Sequence, residues 1–411
     1  MKVVVTGVGL CTSLGTGTEE TWDGLLSGRS GVGPIEAFDA STLCASRAGE
    51  VRDLEPEQFA KRKTLRSMTR NDILALAGAT LALRHAGVEA VADPERTGLF
   101  VGSSKEISNP MHILEASLVA RNDDGSVDIR RLGEQASSAF YPLFYVEGLQ
   151  AAALFYVSQA HGLKGSNVYF AGTAEAGAEA IGRAYRAVRR GEVSMAVAGG
   201  YDDGSSWWNM TKFEALGLLT SGDCRPYDRD RDGTVLGEGA AFLVLESEES
   251  ARARGASVLA EIAGFGGAYD NHALITLNPE GRAPRLAMQA ALREAGADSV
   301  DVVVGHGSAT KIGDASEARA IKALFDGTAV TGVKGATGHL VGAAGALNAA
   351  VAALAVARGA IPPTVGCSER DPEIDVDVVT ETREQDVDAA LALARGFEGQ
   401  NVALVFRRTD V

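Results

Sequence analysis

Four cysteines and six histidines are the residues of this 411-residue chain best suited to covalent or acid–base chemistry. Cys11, Cys44, Cys224 and Cys367 stand apart with no Cys-x-x-Cys pair, and no His-Glu-x-x-His occurs. Neither a disulfide framework nor a zinc site is therefore expected, and each cysteine reads as a small buried or half-buried residue. Three glycine-rich segments stand out instead: CRPYDRDRDGTVLGEGAAFLVLE at 224–246, GHGSATKIGDASE at 305–317 and VKGATGHLVGAAGALNA at 333–349. They contain His306, His339, Lys334, Ser308 and Thr310, and together they are far more specific than any one of them alone.

The elements that must position these residues alternate between short β-branched runs and Ala-rich stretches of helical length, the pattern of strands joined by crossover helices in a largely parallel, buried sheet. Strands are expected at Val3–Thr6, Gly98–Gly102, Val168–Ala171, Met195–Gly199, Ala240–Leu245, Val258–Ala263, Val302–Val304 and Val402–Phe406. No linker rich in Pro, Ser or charge interrupts the alternation, so one compact body is expected, with an internal pseudo-repeat turning over near residue 245.

Composition narrows the partners. With 45% hydrophobic and 23% charged residues the chain can bury a large core, and a formal charge of −15 weighs against nucleic acid, whose binding needs clustered Lys and Arg. The one basic run, Lys61-Arg62-Lys63 through Arg66 and Arg70, reads equally as a solvated helix end or as a dock for an acidic carrier protein. No export signal precedes the strand at Lys2–Thr6, so the expected location is cytoplasmic. The uncharged stretch Leu340–Ala357 is long enough to span a membrane, but its Ala, Gly and Asn348 suit a tightly packed internal helix; no membrane partner is expected.

The three signatures resemble the β-ketoacyl-acyl-carrier-protein synthases, as do VVVTGVGLCTSLGTGTEETWDGLLSGRSGV at 3–32 and GFEGQNVALVFRR at 396–408, so that the resemblance spans essentially the whole chain. It implies an α/β architecture, the thiolase fold: duplicated five-stranded mixed sheets in a layered α-β-α-β-α arrangement, with thiolase-like halves at 1–245 and 246–411. In such synthases a cysteine at a helix N-terminus carries the acyl chain, two histidines stabilise the enolate formed as a malonyl carrier loses carbon dioxide, and a lysine supports them. By position the resemblance puts His306 and His339 at the histidines, Lys334 at the lysine, and Ser308 and Thr310 at pantetheine contacts. No cofactor is expected to bind directly; the chain would act with phosphopantetheinylated acyl carrier protein.

The nucleophile position departs from the pattern. AGTAEAGAEAIG at 171–182 aligns with the nucleophile loop and helix, and Ala174 falls where the cysteine belongs. A methyl group cannot attack a thioester, so no catalytic residue is expected and Ala174, His306, His339 and Lys334 form a vestigial site. Glu175 follows the lost nucleophile, and Glu398 replaces a glycine of the family's GFGG loop. If both carboxylates faced the cavity they would repel a malonyl carboxylate. Glu175 reads equally as a helix N-terminal acid, with Glu179 and Arg183 paired beside it, and a third reading has one of the acids plug the site by pairing with Lys334.

A synthase homologue without its cysteine resembles the chain-length factor of bacterial type II polyketide synthases, the β subunit that pairs with a cysteine-bearing α subunit. That resemblance implies a heterodimer with such a ketosynthase and an acyl tunnel reaching the interface. The tunnel or interface candidates are Ile107, Met111 and His112, with Phe140, Tyr141, Phe144 and Tyr145 from the aromatic segment Ser138–Tyr156. Alanine in place of the glutamine common in β subunits tilts the expectation toward reduced or polyene chains. Two alternatives stand beside this reading: a malonyl-carrier decarboxylase using His306 and His339, and a homodimeric module that binds acyl carriers.

Overall fold

The structure, a computed structural model, describes residues 1–104, 107, 110–144, 149–273 and 276–409. Strand β1 (Val3–Thr12) is buried at every position, as both-face coverage requires. A Cβ on Gly9 would run into the backbone of Ala82, so helix α1 (Arg70–His85) lies against β1 with no side chain between them. A capping box between Thr69 and Asp72 starts that helix. The chain continues through β2 (Thr97–Ser104) and, among the described residues, helices α2 (Met111–Ala120), α3 (Ile129–Ala139) and α4 (Ala152–His161). Next come β3 (Asn167–Gly172), α5 (Ala176–Arg189), β4 (Met195–Asp202) and β5 (Gly239–Ser247). The second set is β6 (Ala260–Tyr269), α6 (Arg282–Ala295), β7 (Val302–Val304), α7 (Lys311–Lys322), β8 (Ala329–Thr331), α8 (Ala344–Arg358), β9 (Ala389–Arg395) and β10 (Gln400–Arg407).

Pairing shows the duplication directly. The first five strands lie in the order β3-β2-β4-β5-β1, with β2 parallel to β3 and β4 and the remaining pairs antiparallel. The second five repeat both order and direction as β8-β7-β9-β10-β6. Where Val3–Val5 of β1 pair with Ala260–Ile262 of β6, the two sheets join into one twelve-stranded sheet among the described residues. Its further additions are the short strand Gly15–Thr16, which turns back on the central β1, and the edge strand Asp377–Val378 beside β8.

Three hydrophobic clusters define the layers. The largest draws on both sheets with α5 and α8 between them; a second holds α1 against the first sheet, and a third holds α6 and α7 against the second. The result is the layered thiolase fold. The only helix among the described residues long and apolar enough to cross a membrane is Val341–Arg358, and 89% of that stretch is buried inside the protein. Asn348 fits this dry environment because its Nδ2 donates to the carbonyls of Gly305 and Leu393, each at 2.9 Å.

Several expectations change. The strand read as Val258–Ala263 occupies Ala260–Tyr269, and strands β8 and β9 were not anticipated at all. Gly264, Gly266 and Gly267 and the Ala-rich run 389–395 have weak strand propensity, which neighbouring strands override. Cys44 is exposed rather than buried, on a loop whose amide donates to Glu214 Oε2 at 2.7 Å; Cys11, Cys224 and Cys367 are buried.

Candidate functional site

Helix α5 begins two residues after Ala174, which is buried at 2% exposure. The Ala174 carbonyl accepts a hydrogen bond from the Gly345 amide at 2.8 Å, so the N-termini of the two inner helices meet here. A Cβ on Gly345 would lie 2.6 Å from that carbonyl oxygen, and only glycine permits the approach. Two helix dipoles therefore converge on position 174, an environment that would favour a thiolate, but the side chain present is a methyl group.

The GHGSAT turn leaving β7 and the GHL turn ahead of α8 bring His306 and His339 together, with ring centroids 5.5 Å apart and planes at 79°. Both rings are buried. His339 Nδ1 accepts from the Val341 amide at 3.0 Å, an arrangement held by a positive φ of 41° at Val341. Lys334 donates to the His306 carbonyl, and its Nζ lies 3.5 Å from His306 Nδ1. Burial drives both imidazoles well below their usual pKa, and the Lys334 charge adds to the effect. Burial also lowers Lys334 to about 8, against pulls in the opposite direction from Glu317, Cys224 and Asp314. Both histidines are thus neutral, with Nδ1 occupied and the proton on Nε2. Among the described residues neither Nε2 has a hydrogen-bond partner, and two such donors on one cavity wall can stabilise a developing oxyanion.

That wall belongs to a cavity of about 390 Å³. His306, His339, Ser308 and Thr310 line it with Gly396, Phe397, Phe213 and the turn 216–218. Ser308 and Thr310 hydroxyls lie 2.8 Å apart, and Ser308 donates to Asp314 at 3.1 Å. The structure therefore gathers the two histidines, Lys334 and both hydroxyl residues at one place. Ala174 and Glu175 are not on this cavity's wall.

Glu175 is 5% exposed, and its carboxylate accepts from the Thr173 amide and hydroxyl at 3.0–3.3 Å. Burial raises its carboxyl pKa, and the Glu398 charge raises it further. It stands at the start of α5 but caps no helix amide, so the helix-terminal reading holds for position and not for bonding. The pair Glu179–Arg183 forms at 2.6 Å. The plug through Glu175 is not built: Lys334 is occupied by His306, whereas Glu175 is bonded to Thr173. Glu398 is half-buried on the turn after Phe397.

The tunnel and interface candidates cluster elsewhere, on the excursion between β2 and β3. Ile107 bridges to Leu149, His112 stacks on Tyr141 at 4.7 Å and 25°, and Phe140 approaches Phe144 at 6.1 Å. Met111 is 43% exposed, and Tyr145 lies outside the described residues. Leu118, Leu143, Leu149 and Phe155 are exposed on the same excursion, which leads into edge strand β3.

Several residues that build the site were not singled out from sequence. Glu317 accepts from the His306 and Gly307 amides at 2.5 and 2.8 Å and from Tyr227 Oη at 3.0 Å, fixing the first histidine turn. Asp202, raised to about 6 by burial, accepts from the Gly342 amide at 2.9 Å and steadies the second. The DRDRDG run supplies Arg231, buried and bonded to Asp371 at 2.5 Å and to the Thr310 and Lys311 carbonyls. Phe213 and Phe397 meet at 5.2 Å with their rings tilted by 57°, and Phe213 lies 6.4 Å from His339. The available signal was acidic residues at fixed offsets inside glycine-rich turns; their partners lie far away in the chain.

Fold and site together define a thiolase-fold protein with two buried histidines side by side on the wall of one cavity. Residues 1–251 match the family described as beta-ketoacyl synthase, N-terminal domain, and residues 259–368 match its C-terminal domain. The chain belongs to the β-ketoacyl synthase family. It is 32% identical over 423 residues to 3-oxoacyl-[acyl-carrier-protein] synthase 2 of Staphylococcus aureus strain MRSA252, covering 100% of this chain and 99% of the relative. Among solved structures it is similar to the ishigamide ketosynthase/chain length factor, with TM-score 0.89, 31% identity and 99% of both chains covered. It is also similar to a type II polyketide synthase ketosynthase solved bound to a hexaketide and in complex with its acyl-carrier protein, with TM-score 0.86, 26% identity and 100% and 99% of the chains covered.

Proposed function

We propose that this chain is the non-catalytic, chain-length-determining subunit of a heterodimeric ketosynthase that elongates polyketides on acyl carrier protein with malonyl carrier. The observation that carries this reading is Ala174: two helix N-termini converge on a residue without a nucleophile. The three buried cysteines do not replace it, because burial raises Cys11 to about 12 and Cys224 and Cys367 to about 11. The exposed apolar side chains around Leu149 and Phe155 and the open edge of β3 are what a partner of the same fold would cover. The partner in this reading carries the cysteine, the carrier is phosphopantetheinylated, and the complex works in the cytoplasm on reduced or polyene chains.

The test is the native mass of the chain after co-expression with the cysteine-bearing synthase encoded nearest to it, followed by malonyl-carrier turnover. A one-to-one complex that elongates only with the partner's cysteine intact supports the subunit reading. A homodimer that ignores the partner overturns it.

A second reading is favoured by the open cavity at His306 and His339. Two neutral imidazoles offering Nε2–H donors are suited to holding a malonyl thioester carbonyl while carbon dioxide leaves. In this reading the isolated chain converts malonyl carrier to acetyl carrier, and His306→Ala abolishes the conversion. No release of carbon dioxide above the uncatalysed rate removes it.

A further inference from the structure

We propose that Thr173 and Glu175 form a latch that holds the Gly396–Phe397 turn closed, so that this turn is the partition between the histidine cavity and a second groove beside edge strand β3. Every contact in this latch lies within the one chain, whichever partner the chain has.

The bonds run in one direction. The Phe397 amide donates to Thr173 Oγ1 at 3.1 Å, and the same hydroxyl spends its proton on Glu175 Oε2 at 3.0 Å. The Thr173 amide donates to both Glu175 oxygens, at 3.3 and 3.2 Å. Glu175 thus fixes the rotamer that lets Thr173 accept from Phe397. Its carboxylate also fills the space over Gly396, where any Cβ would strike it.

Gly396 and Phe397 are wall of the histidine cavity, while Glu175 and Ala176 are wall of the other space, a groove of about 790 Å³ that also touches Tyr169, Phe170 and Arg186. The contact of Glu175 with Gly396 is therefore a divider one residue thick on each side. The Phe397 ring continues the connection through Phe213 to His339. An isolated carboxylate with no ion pair among the described residues is a costly group to bury. Arg183 and Arg186, which face the groove, are taken by Glu179 and Glu294. Thr173 and Glu175 are positioning residues: they act on the cavity through Phe397.

The reporter is Ala174→Cys in the full-length chain, alkylated with iodoacetamide across pH, with residue 174 followed by peptide mass. The plateau rate above the thiol pKa removes the electrostatic effect of the neighbouring carboxylate. With Thr173 and Glu175 intact the plateau is slow; with added Thr173→Val or Glu175→Ala it rises by about tenfold, the scale of one lost hydrogen bond. Glu175→Gln, which keeps an acceptor oxygen and the volume, stays within about twofold of the intact latch. In the chain with native Ala174, Thr173→Val also speeds amide exchange at Phe397 by about tenfold. Cys11, fully buried within β1, reports global opening. Equal plateau rates in all backgrounds, or alkylation of Cys11 in step with residue 174, would overturn the latch.

Discussion

The Val341 amide points at Nδ1 of His339 across 3.0 Å, so the imidazole is held as a neutral acceptor on one side and a donor on the other. Protonating that ring would break the bond and bury a charge next to Lys334. His339 is thereby committed to the neutral form, and this has a consequence for stability against acid.

His339 in the folded chain binds its proton only well below its ordinary value, whereas the unfolded chain binds it near pH 6.5. Below pH 6.5 the unfolded state therefore carries more protons, and stability contributed by the neutral ring is lost as pH falls. Asp202 and Asp314, both raised to about 6, act with the opposite sign between their unfolded value of 3.8 and 6, since there the folded state holds the extra proton. A difference measurement isolates the histidine. The stability of the native chain relative to His339→Gln should decline by about 1 kcal/mol per pH unit below 6.5. Urea midpoints of both proteins at pH 7 and 5.5 check it; parallel midpoints would show that the ring takes up its proton when folded.

Arg231 ties three loops together, meeting Asp371 at 2.5 Å and Asp314 at 3.7 Å with 1% of its own side chain exposed. Its removal takes a guanidinium from beside the fully buried Asp314 and from Asp371. Arg231→Leu should destabilise the fold by about 3–5 kcal/mol. A denaturant midpoint shifted by less than a quarter of that would mean that water or Lys311 replaces the guanidinium.

Phe155 is 60% exposed on α4, and its ring meets Tyr156 edge-on at 5.4 Å. Exposed aromatic surface of this kind stabilises an interface rather than a monomer. Phe155→Asp should leave the thermal midpoint within about 2 °C and weaken association with the cysteine-bearing partner at least about tenfold. Undiminished complex on a sizing column would move the interface away from α4.

Met111 and Phe140 lie on the same excursion, near the stacked pair His112 and Tyr141. If they end the shared acyl tunnel, trimming either opens room for another two carbons, because packed side chains leave no spare volume. Met111→Ala and Phe140→Ala, each tested in the heterodimer, should shift products toward longer chains by mass spectrometry. An unchanged product distribution in both removes them from the tunnel end.

Much of the architecture could be read from the chain in order. Val3–Thr6, Gly98–Gly102, Met195–Gly199 and Val302–Val304 are strands because β-branched and small residues suit a sheet covered on both faces, and the uncharged run 340–357 is an internal helix because Ala and Gly pack without gaps. His306, His339, Lys334, Ser308 and Thr310 could be picked out because three glycine-rich segments resemble those of the β-ketoacyl synthases, and the same resemblance pointed to Ala174 as the position where a cysteine was expected. What the tertiary structure alone decided is which of these groups meet and what bonds them. Thr173 and Phe397 are separated by more than half the chain, Asp202 supports Gly342, and Asn348 serves carbonyls at 305 and 393. Strand β9 is a strand although Ala and Leu favour helix, because β7 and β10 supply its backbone partners from either side. Local sequence specifies propensity and face, but a hydrogen bond between distant residues depends on how the layers stack, and no window along the chain contains both of its ends.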